Sequence, residues 1–130
     1  MKTAAIIAEY NPFHKGHRYQ IEETRKATGA DYILVLMSGD FVQRGEPAIY
    51  NKYIRTRMAL LGGADAVLEL PVLYATSSAE FFAEGAVTLL DHMQMVDFLS
   101  FGSESGNIEE LWQTCAPLLQ TLPSQRISWL

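Results

Sequence analysis

Two histidines, one helical turn apart, are the residues of this sequence best suited to chemistry. They begin and end the string HKGH of residues 14–17, which follows the apolar run TAAIIA of residues 3–8 after a short turn. Positions three apart at the start of a helix lie on one side of it, so both imidazoles would face the same way. Unpaired N–H groups in the first turn, the helix dipole and two imidazole donors all favour an anion. The pattern therefore predicts a site for nucleotide phosphates.

Gly16 lies between the two histidines, and its lack of a side chain lets another group approach the backbone closely. Two further interpretations of the histidines stay open. His14 and His17 could bind zinc together with Glu104, although a zinc site needs a third protein ligand of certain identity. The pair could also be a purely structural cap of the helix.

Short apolar runs alternate with stretches of helical spacing along the chain. The runs at residues 3–8, 32–37, 66–70 and 96–101 predict strands, and the stretches at about 17–28, 50–62, 77–93 and 107–121 predict helices. Strands that are apolar on both faces and alternate with helices form parallel sheets covered on each side. The sequence therefore predicts an α/β three-layer sandwich around a parallel sheet. Its parallel sheet would have about four strands and be incomplete towards the C-terminus. The final QRISWL has no recognisable cap or partner.

Polar segments follow three of the predicted strands. These are EYNPFHKGH at residues 9–17, MSGD at 37–40 and FGSESG at 101–106. The carboxyl ends of parallel strands meet at one edge of the sheet, so these segments should converge on one crevice. The long loop at residues 38–49 is interpreted either as a lid or binding loop, or as a tolerated surface insertion.

Composition fits one compact domain spanning residues 1–130. Of the 130 residues, 48% are hydrophobic, and the formal net charge of −5 argues against tight nucleic-acid binding by this chain alone. Residues 1–60 carry nine Lys or Arg against six Asp or Glu, whereas residues 61–130 carry one against nine. The basic groups therefore accompany the predicted phosphate site.

No apolar stretch reaches membrane-spanning length, and the start of the chain is too short for a signal peptide. We therefore expect a soluble, cytoplasmic protein without a membrane partner. Cys115, the single cysteine, fits burial better than redox chemistry, and His92 fits a surface or interface position.

The HxGH pattern directly after a first strand resembles the HIGH signature of the nucleotidyltransferase superfamily. This resemblance implies that the three-layer sandwich is Rossmann-like and of the HUP/nucleotidyltransferase type. The resemblance narrows further, because the ordered strings AEYNPFHKGH, MSGDFVQRGEPAI, GADAVLELP, SAEFFAEGAV and FGSESG are similar to successive blocks of the bacterial tRNA(Met) cytidine acetate ligase family. These blocks extend as far as residue 106.

The resemblance implies an ATP-dependent ligase that activates acetate as acetyl-adenylate and then acetylates the wobble cytidine of elongator tRNA(Met). The two histidines would hold the phosphates and stabilise charge growing at the α-phosphate. The ATP contacts implied by the family pattern are Ile7, Ala8, Glu9, Tyr10, Asn11, Pro12, Phe13, Lys15, Gly16, Gln20 and Gly102, the last of which a plain turn would also explain.

Four cations are further candidates for contacts with pyrophosphate or tRNA. They are Arg44 in the long loop and Lys52, Arg55 and Arg57 in the second predicted helix, where a solvated helix face is an equally good interpretation. Mg2+ would accompany ATP, held mainly by phosphate oxygens and water.

Three features depart from the family pattern. The second adenylation motif and any tRNA-recognition region have no match before Leu130, and Lys15 stands where relatives commonly carry asparagine. We therefore expect weak nucleotide binding and no tRNA acetylation by these residues alone, with self-association of an exposed sheet edge. Two other functions stay open: a nucleotidyltransferase acting on a small phosphorylated acceptor, and a non-catalytic nucleotide-binding or assembly module.

Overall fold

Strands and helices alternate along the chain, as the apolar pattern predicts. The structure is a computed structural model that describes residues 1–100 and the backbone of residues 101 and 126–129. Its strands are β1 (Thr3–Ala8), β2 (Tyr32–Ser38), β3 (Ala66–Leu70), β4 (Phe98–Phe101) and β5 (Arg126–Trp129). Its helices are α1 (Lys15–Thr28), α2 (Lys52–Leu61), α3 (Val72–Ala75) and α4 (Ala79–Met93), with a short 3-10 turn at Gln43–Gly45.

The five strands form one sheet in the order β3-β2-β1-β4-β5, and every neighbouring pair is parallel. Ala5 at the centre of β1 lies opposite Leu34 of β2 on one side and Leu99 of β4 on the other. The predicted α/β fold with a parallel sheet of about four strands is confirmed, and the sheet has one further strand. The expectation that QRISWL has no partner is wrong. Residues 126–129 pair with β4, with Arg126 opposite Phe98.

Two apolar cores lie on opposite faces of the sheet, as the predicted three-layer sandwich requires. Side chains alternate between faces along a strand, so neighbouring residues of β1 and β2 enter different cores. One core joins the sheet to α1 and α2, and the other joins it to α4. The first contains Ile6, Ile21, Ile33, Val35 and Ala59, and the second contains Ala5, Leu36, Phe82, Leu90 and Leu99.

The helices begin and end at residues with recognisable caps. α1 ends at Gly29, whose φ of 65° is the left-handed conformation that glycine adopts easily. The side chains of Asn51 and Ser78 accept backbone N–H groups at the starts of α2 and α4. Within the part of the chain that the structure describes, no helix could cross a membrane. The predicted helix at 107–121, with Cys115, lies outside the described residues.

Candidate functional site

The centre of the sheet contains a topological switch point. β2 follows β1 on one side, whereas β4 pairs with the other side of β1 and is preceded by α4 from the opposite face. Ligand crevices of open parallel sheets lie at the carboxyl ends of the strands where this reversal occurs. The residues that follow β1 therefore border the crevice. Gly102 and the rest of FGSESG lie beyond β4, outside the described residues.

His14 and His17 lie together at this point and form the start of α1. Their rings stack with centroids 3.6 Å apart and an angle of 20° between planes. His14 is the N-cap, and its Nδ1 accepts the N–H of Gly16 at 3.0 Å, while His17 Nδ1 accepts the N–H of His14 at 3.2 Å. The two rings therefore form a reciprocal capping box.

This capping arrangement fixes the tautomer of each ring. Because each Nδ1 accepts a backbone N–H, it carries no proton, and the neutral ring then bears its proton on Nε2. We assign both histidines as Nε2–H donors. The structural capping interpretation is thus confirmed as a contact, and it leaves the Nε2–H groups as the donors with which the pair could meet an anion.

The capping box also changes which backbone donors an anion could use. The sequence predicts unpaired N–H groups in the first turn of α1, but those of Gly16 and His14 donate to the histidine rings. The N–H groups of His17 and Arg18 both donate to the His14 carbonyl, at 3.1 and 3.2 Å. The ring Nε2–H groups therefore replace these amides as the main predicted donors.

His17 is held neutral by its surroundings. The ring is half-buried, and this loss of solvent lowers its pKa from 6.5 to about 4. The nearby His14 lowers the pKa of His17 further. Tyr10 and Phe13 pack against the ring with centroid distances of 4.8 and 5.6 Å. At neutral pH His17 is therefore an uncharged donor, and any charge in its hydrogen bond with phosphate would come from the phosphate.

Gly16 is required by the ring of His14 itself. A Cβ at this position would lie 2.8 Å from His14 Cε1 and 3.0 Å from Nδ1. The prediction that Gly16 lets another group approach the backbone is confirmed, and that group is the capping imidazole. This contact explains physically why a glycine stands between the two histidines of the HxGH string.

Aromatic packing fixes the turn between β1 and α1. Tyr10 is fully buried, has a positive φ of 50°, and meets Phe13 edge to face at 4.8 Å. Phe13 in turn lies over Gly62 at the end of α2, where an added Cβ would be 2.4 Å from the ring. Together, these contacts hold the backbone that carries the histidines against α2.

The loop at residues 39–49 is folded and tied to this turn. Phe41 and Pro47 form an antiparallel bridge, and the N–H of Ile49 donates to Asn11 Oδ1 at 2.8 Å. Burial raises the pKa of the Glu9 carboxyl, opposed by a hydrogen bond from the Gln43 backbone and by the charge of Arg55, with Glu46 raising it further. The loop borders the site, and its role as a lid remains a prediction.

The structure corrects the expectation for Arg55. Its side chain is fully buried, and its guanidinium donates to the backbone carbonyls of Glu9, Tyr10, Ser38 and Gly39 at 2.7–3.3 Å. A guanidinium that is buried and hydrogen-bonded to backbone carbonyls in this way cannot contact tRNA or pyrophosphate. From the sequence, Arg55 could equally belong to a solvated helix face, because a sequence pattern does not show which side chains donate to backbone carbonyls.

The other candidate cations lie on the surface. Lys52 Nζ pairs with Glu69 at 3.0 Å, and its backbone N–H donates to Asp40 Oδ1 at 2.8 Å, which places Lys52 at the carboxyl edge of the sheet. Arg44 and Arg57 are exposed, Arg44 on the loop and Arg57 on α2. The Lys52–Glu69 pair had no signal in the sequence, because its members belong to different elements.

The remaining candidates lie along the same stretch of chain. Lys15 is exposed, and the half-buried members are Ile7, Ala8, Glu9, Asn11, Pro12, Phe13 and Gln20. Among the residues described, no group of three His, Cys, Asp or Glu side chains is placed to hold a metal ion. Glu104, the third ligand of the zinc alternative, lies outside the described residues.

Similarity to known proteins extends over nearly the whole chain. A family model described as HIGH Nucleotidyl Transferase matches residues 1–126. The tRNA(Met) cytidine acetate ligase of Acetivibrio thermocellus is 55% identical over 111 residues, which is 85% of this chain and 27% of that protein. The ligase of the same name from Caldanaerobacter subterraneus is 52% identical over 126 residues, 97% of this chain and 31% of the relative. The chain thus spans less than a third of the length of these curated relatives.

Solved structures show the same relationship. The crystal structure of Thermotoga maritima TmcAL bound with alpha-thio ATP matches with a TM-score of 0.81 and 46% identity, over 93% of this chain and 29% of that one. The lipopolysaccharide core biosynthesis protein of Thermoplasma volcanium, with a TM-score of 0.61 and 15% identity, shares the fold alone. Since the family model covers residues 1–126 and the HxGH histidines lie together at the switch point of the sheet, the chain belongs to the HIGH nucleotidyl transferase family.

Proposed function

We propose that this chain is the ATP-binding part of a tRNA(Met) cytidine acetate ligase, with the nucleotide phosphates at His14 and His17. The observation that carries the proposal is the stacked histidine pair, whose Nδ1 atoms are both occupied by backbone N–H groups. Two rings whose Nδ1 atoms accept backbone N–H groups would offer fixed Nε2–H donors for directional hydrogen bonds to phosphate oxygens. A relative 46% identical to this chain was crystallised with an ATP analogue.

The proposed first step is an in-line displacement at the α-phosphate of ATP. A carboxylate oxygen of acetate attacks phosphorus, the bond to the bridging oxygen breaks, and pyrophosphate leaves as acetyl-adenylate forms. The histidines would stabilise negative charge on the α-phosphate oxygens without accepting a proton, since acetate is already ionised at neutral pH. The acetyl group would then pass to the amine of the wobble cytidine of tRNA(Met), with AMP as the leaving group.

The surroundings of the site support roles for other groups. Lys52 and Arg44 lie on the surface near the carboxyl edge and would meet pyrophosphate or tRNA. Mg2+ would bind mainly through phosphate oxygens and water. Contacts with tRNA would come chiefly from the regions by which the relatives exceed this chain in length, and the reaction would take place in the cytoplasm. Self-association through the sheet edge formed by β3 is a further proposal.

The phosphate role of the histidines is tested by titrating this chain with ATP. Ligand-observed NMR measures affinities in the millimolar range, which suits the weak binding expected here. His14→Ala and His17→Ala should each weaken ATP binding by about tenfold, the value of one charge-assisted hydrogen bond. His92→Ala, which removes an exposed histidine of α4, is the matched control. ATP binding that is equal in all four proteins would refute the role of the pair.

The acetate reaction is tested in a hybrid. Residues 1–101 of this chain would replace the matching part of Thermotoga maritima TmcAL, because the two share the fold at a TM-score of 0.81. The hybrid should release pyrophosphate from ATP only when acetate is present. Release that depends on a phosphate monoester would support the alternative nucleotidyltransferase, and ATP binding without any release would support a non-catalytic module.

A further inference from the structure

Arg55 is the largest side chain that is fully buried in the described part of the molecule, and it lies beneath the candidate site. Its Nη1 donates to the Gly39 carbonyl at 2.7 Å, and its Nη2 donates to the carbonyls of Ser38 and Glu9 at 2.7 and 2.8 Å. Its Nε donates to the Tyr10 carbonyl at 3.2 Å. One guanidinium thus joins the segments that leave the carboxyl ends of β1 and β2.

The charge of Arg55 has no direct ionic partner among the described residues. No carboxylate there lies within 4.0 Å of the guanidinium, although the more distant Asp40 and Glu9 favour its charged form. A buried charge is costly without compensation, and hydrogen bonds to neutral carbonyls compensate it only in part. An anion bound at the same edge of the sheet would supply the missing compensation.

The four carbonyls themselves explain why such a charge is useful. Each carries partial negative charge at the edge where a triphosphate would lie, and such dipoles repel an anion. Arg55 binds these oxygens and places a net positive charge beneath them. It also fixes the Tyr10 backbone, and the Tyr10 ring packs on His17 at 4.8 Å.

We infer that Arg55 is a positioning residue whose buried charge compensates the phosphates of the bound nucleotide, and this rests on the proposed function of the chain as an ATP-binding unit. Arg55 acts without touching the ligand. It neutralises the carbonyls at the ends of β1 and β2 and holds the turn from which His17 projects. The affinity it provides should therefore depend on the charge of the nucleotide.

The test compares ATP with adenosine, which has the same base and ribose without phosphates. In Arg55→Gln or Arg55→Met, the ratio of ATP affinity to adenosine affinity should fall by about tenfold. Arg25→Gln is the control, because Arg25 also donates to backbone carbonyls, those of Asp31 and Gly63, and to the Asp65 carboxylate. Arg25 lies in the last turn of α1, at the opposite end from the capping histidines. This control should lose thermal stability and keep the wild-type affinity ratio.

Arg55→Lys provides a second measurement, which does not depend on the neutral variants folding. A buried lysine titrates more readily than arginine, so as the pH rises from about 7 to about 10 the ATP affinity of this variant should fall more steeply than that of the wild type. Glu9, Asp40 and Tyr10 are the titratable groups nearest this position and are common to both proteins.

Two outcomes overturn the inference, and they differ from failure of the proposed function. An unchanged affinity ratio in a folded Arg55→Gln or Arg55→Met, or a pH profile of Arg55→Lys that matches the wild type, means that the charge plays no part in binding. If the wild-type chain binds no ATP at all, the proposed function fails first, and the inference about Arg55 fails with it.

Discussion

Acidification from about pH 6.5 towards about pH 4 should destabilise this protein through His17. Burial, aided by the neighbouring His14, lowers the pKa of His17 from 6.5 to about 4 in the folded chain. The unfolded chain therefore binds this proton more readily than the folded one. The stabilisation is complete above about pH 6.5 and is lost as the pH falls towards about 4. Protonation would also place an N–H on Nδ1, facing the His14 N–H that it now accepts.

The size of the effect follows from the pKa difference. A shift of this size corresponds to roughly 3 kcal/mol at most, and because the ring is only half-buried we expect about 1–2 kcal/mol after screening by solvent. The assay is urea unfolding of the wild type and of His17→Asn at pH 7.5 and at pH 4.5. Asparagine can keep an acceptor near the Nδ1 position and does not titrate.

The comparison between the two proteins isolates His17 from the carboxylates that titrate in the same range. The wild type should lose about 1–2 kcal/mol more than His17→Asn between the two pH values. His92→Asn, which removes an exposed histidine, should follow the wild type. Parallel losses in the wild type and His17→Asn, within about 0.3 kcal/mol, would show that the ring is not held neutral by the fold.

Three further substitutions test the local packing. Gly16→Ala should displace the His14 ring and cost about 1 kcal/mol of capping free energy, which the higher helix propensity of alanine offsets. The histidine NMR signals should therefore shift, while the free energy of unfolding changes little. Tyr10→Phe removes a buried hydroxyl without a hydrogen-bond partner in the described region and should stabilise by about 1 kcal/mol in urea unfolding; a loss would reveal a partner. Ser100→Ala breaks a buried hydrogen bond of 2.8 Å to Thr24 and should cost about 1–2 kcal/mol, whereas an unchanged unfolding midpoint would contradict that contact.

The sheet could be predicted where apolar runs end at turn residues. β1 and β3 agree with the predicted residues, and β2 is one residue longer than predicted. The fourth strand begins at Phe98 rather than at residue 96, because Asp97 instead exchanges hydrogen bonds with Thr3. β5 was not predicted, because its four residues mix polar and apolar types without a clear alternation. Its partner, β4, also lies more than twenty residues earlier in the sequence.

The candidate site could be predicted in type and place, but not in its internal contacts. Spacing was enough to bring His14 and His17 to one side of α1, since helical geometry alone decides that. The capping box was only one of the alternatives, because ring orientation depends on contacts with Tyr10 and Gly16. Burial of Arg55 could not be foreseen, because its partners are main-chain oxygens at the carboxyl ends of β1 and β2, which lie far from Arg55 in the sequence.

The order of the strands has a consequence for how the chain folds during synthesis. β1 is made first and lies at the centre of the sheet, yet it pairs with β4, which begins only at Phe98. Until about a hundred residues have left the ribosome, one flank of β1 lacks its neighbour, and contacts so distant in sequence form slowly. One apolar flank of β1 therefore stays uncovered while the residues between Ala8 and Phe98 are made, and exposed apolar strand edges of this kind favour aggregation during that interval.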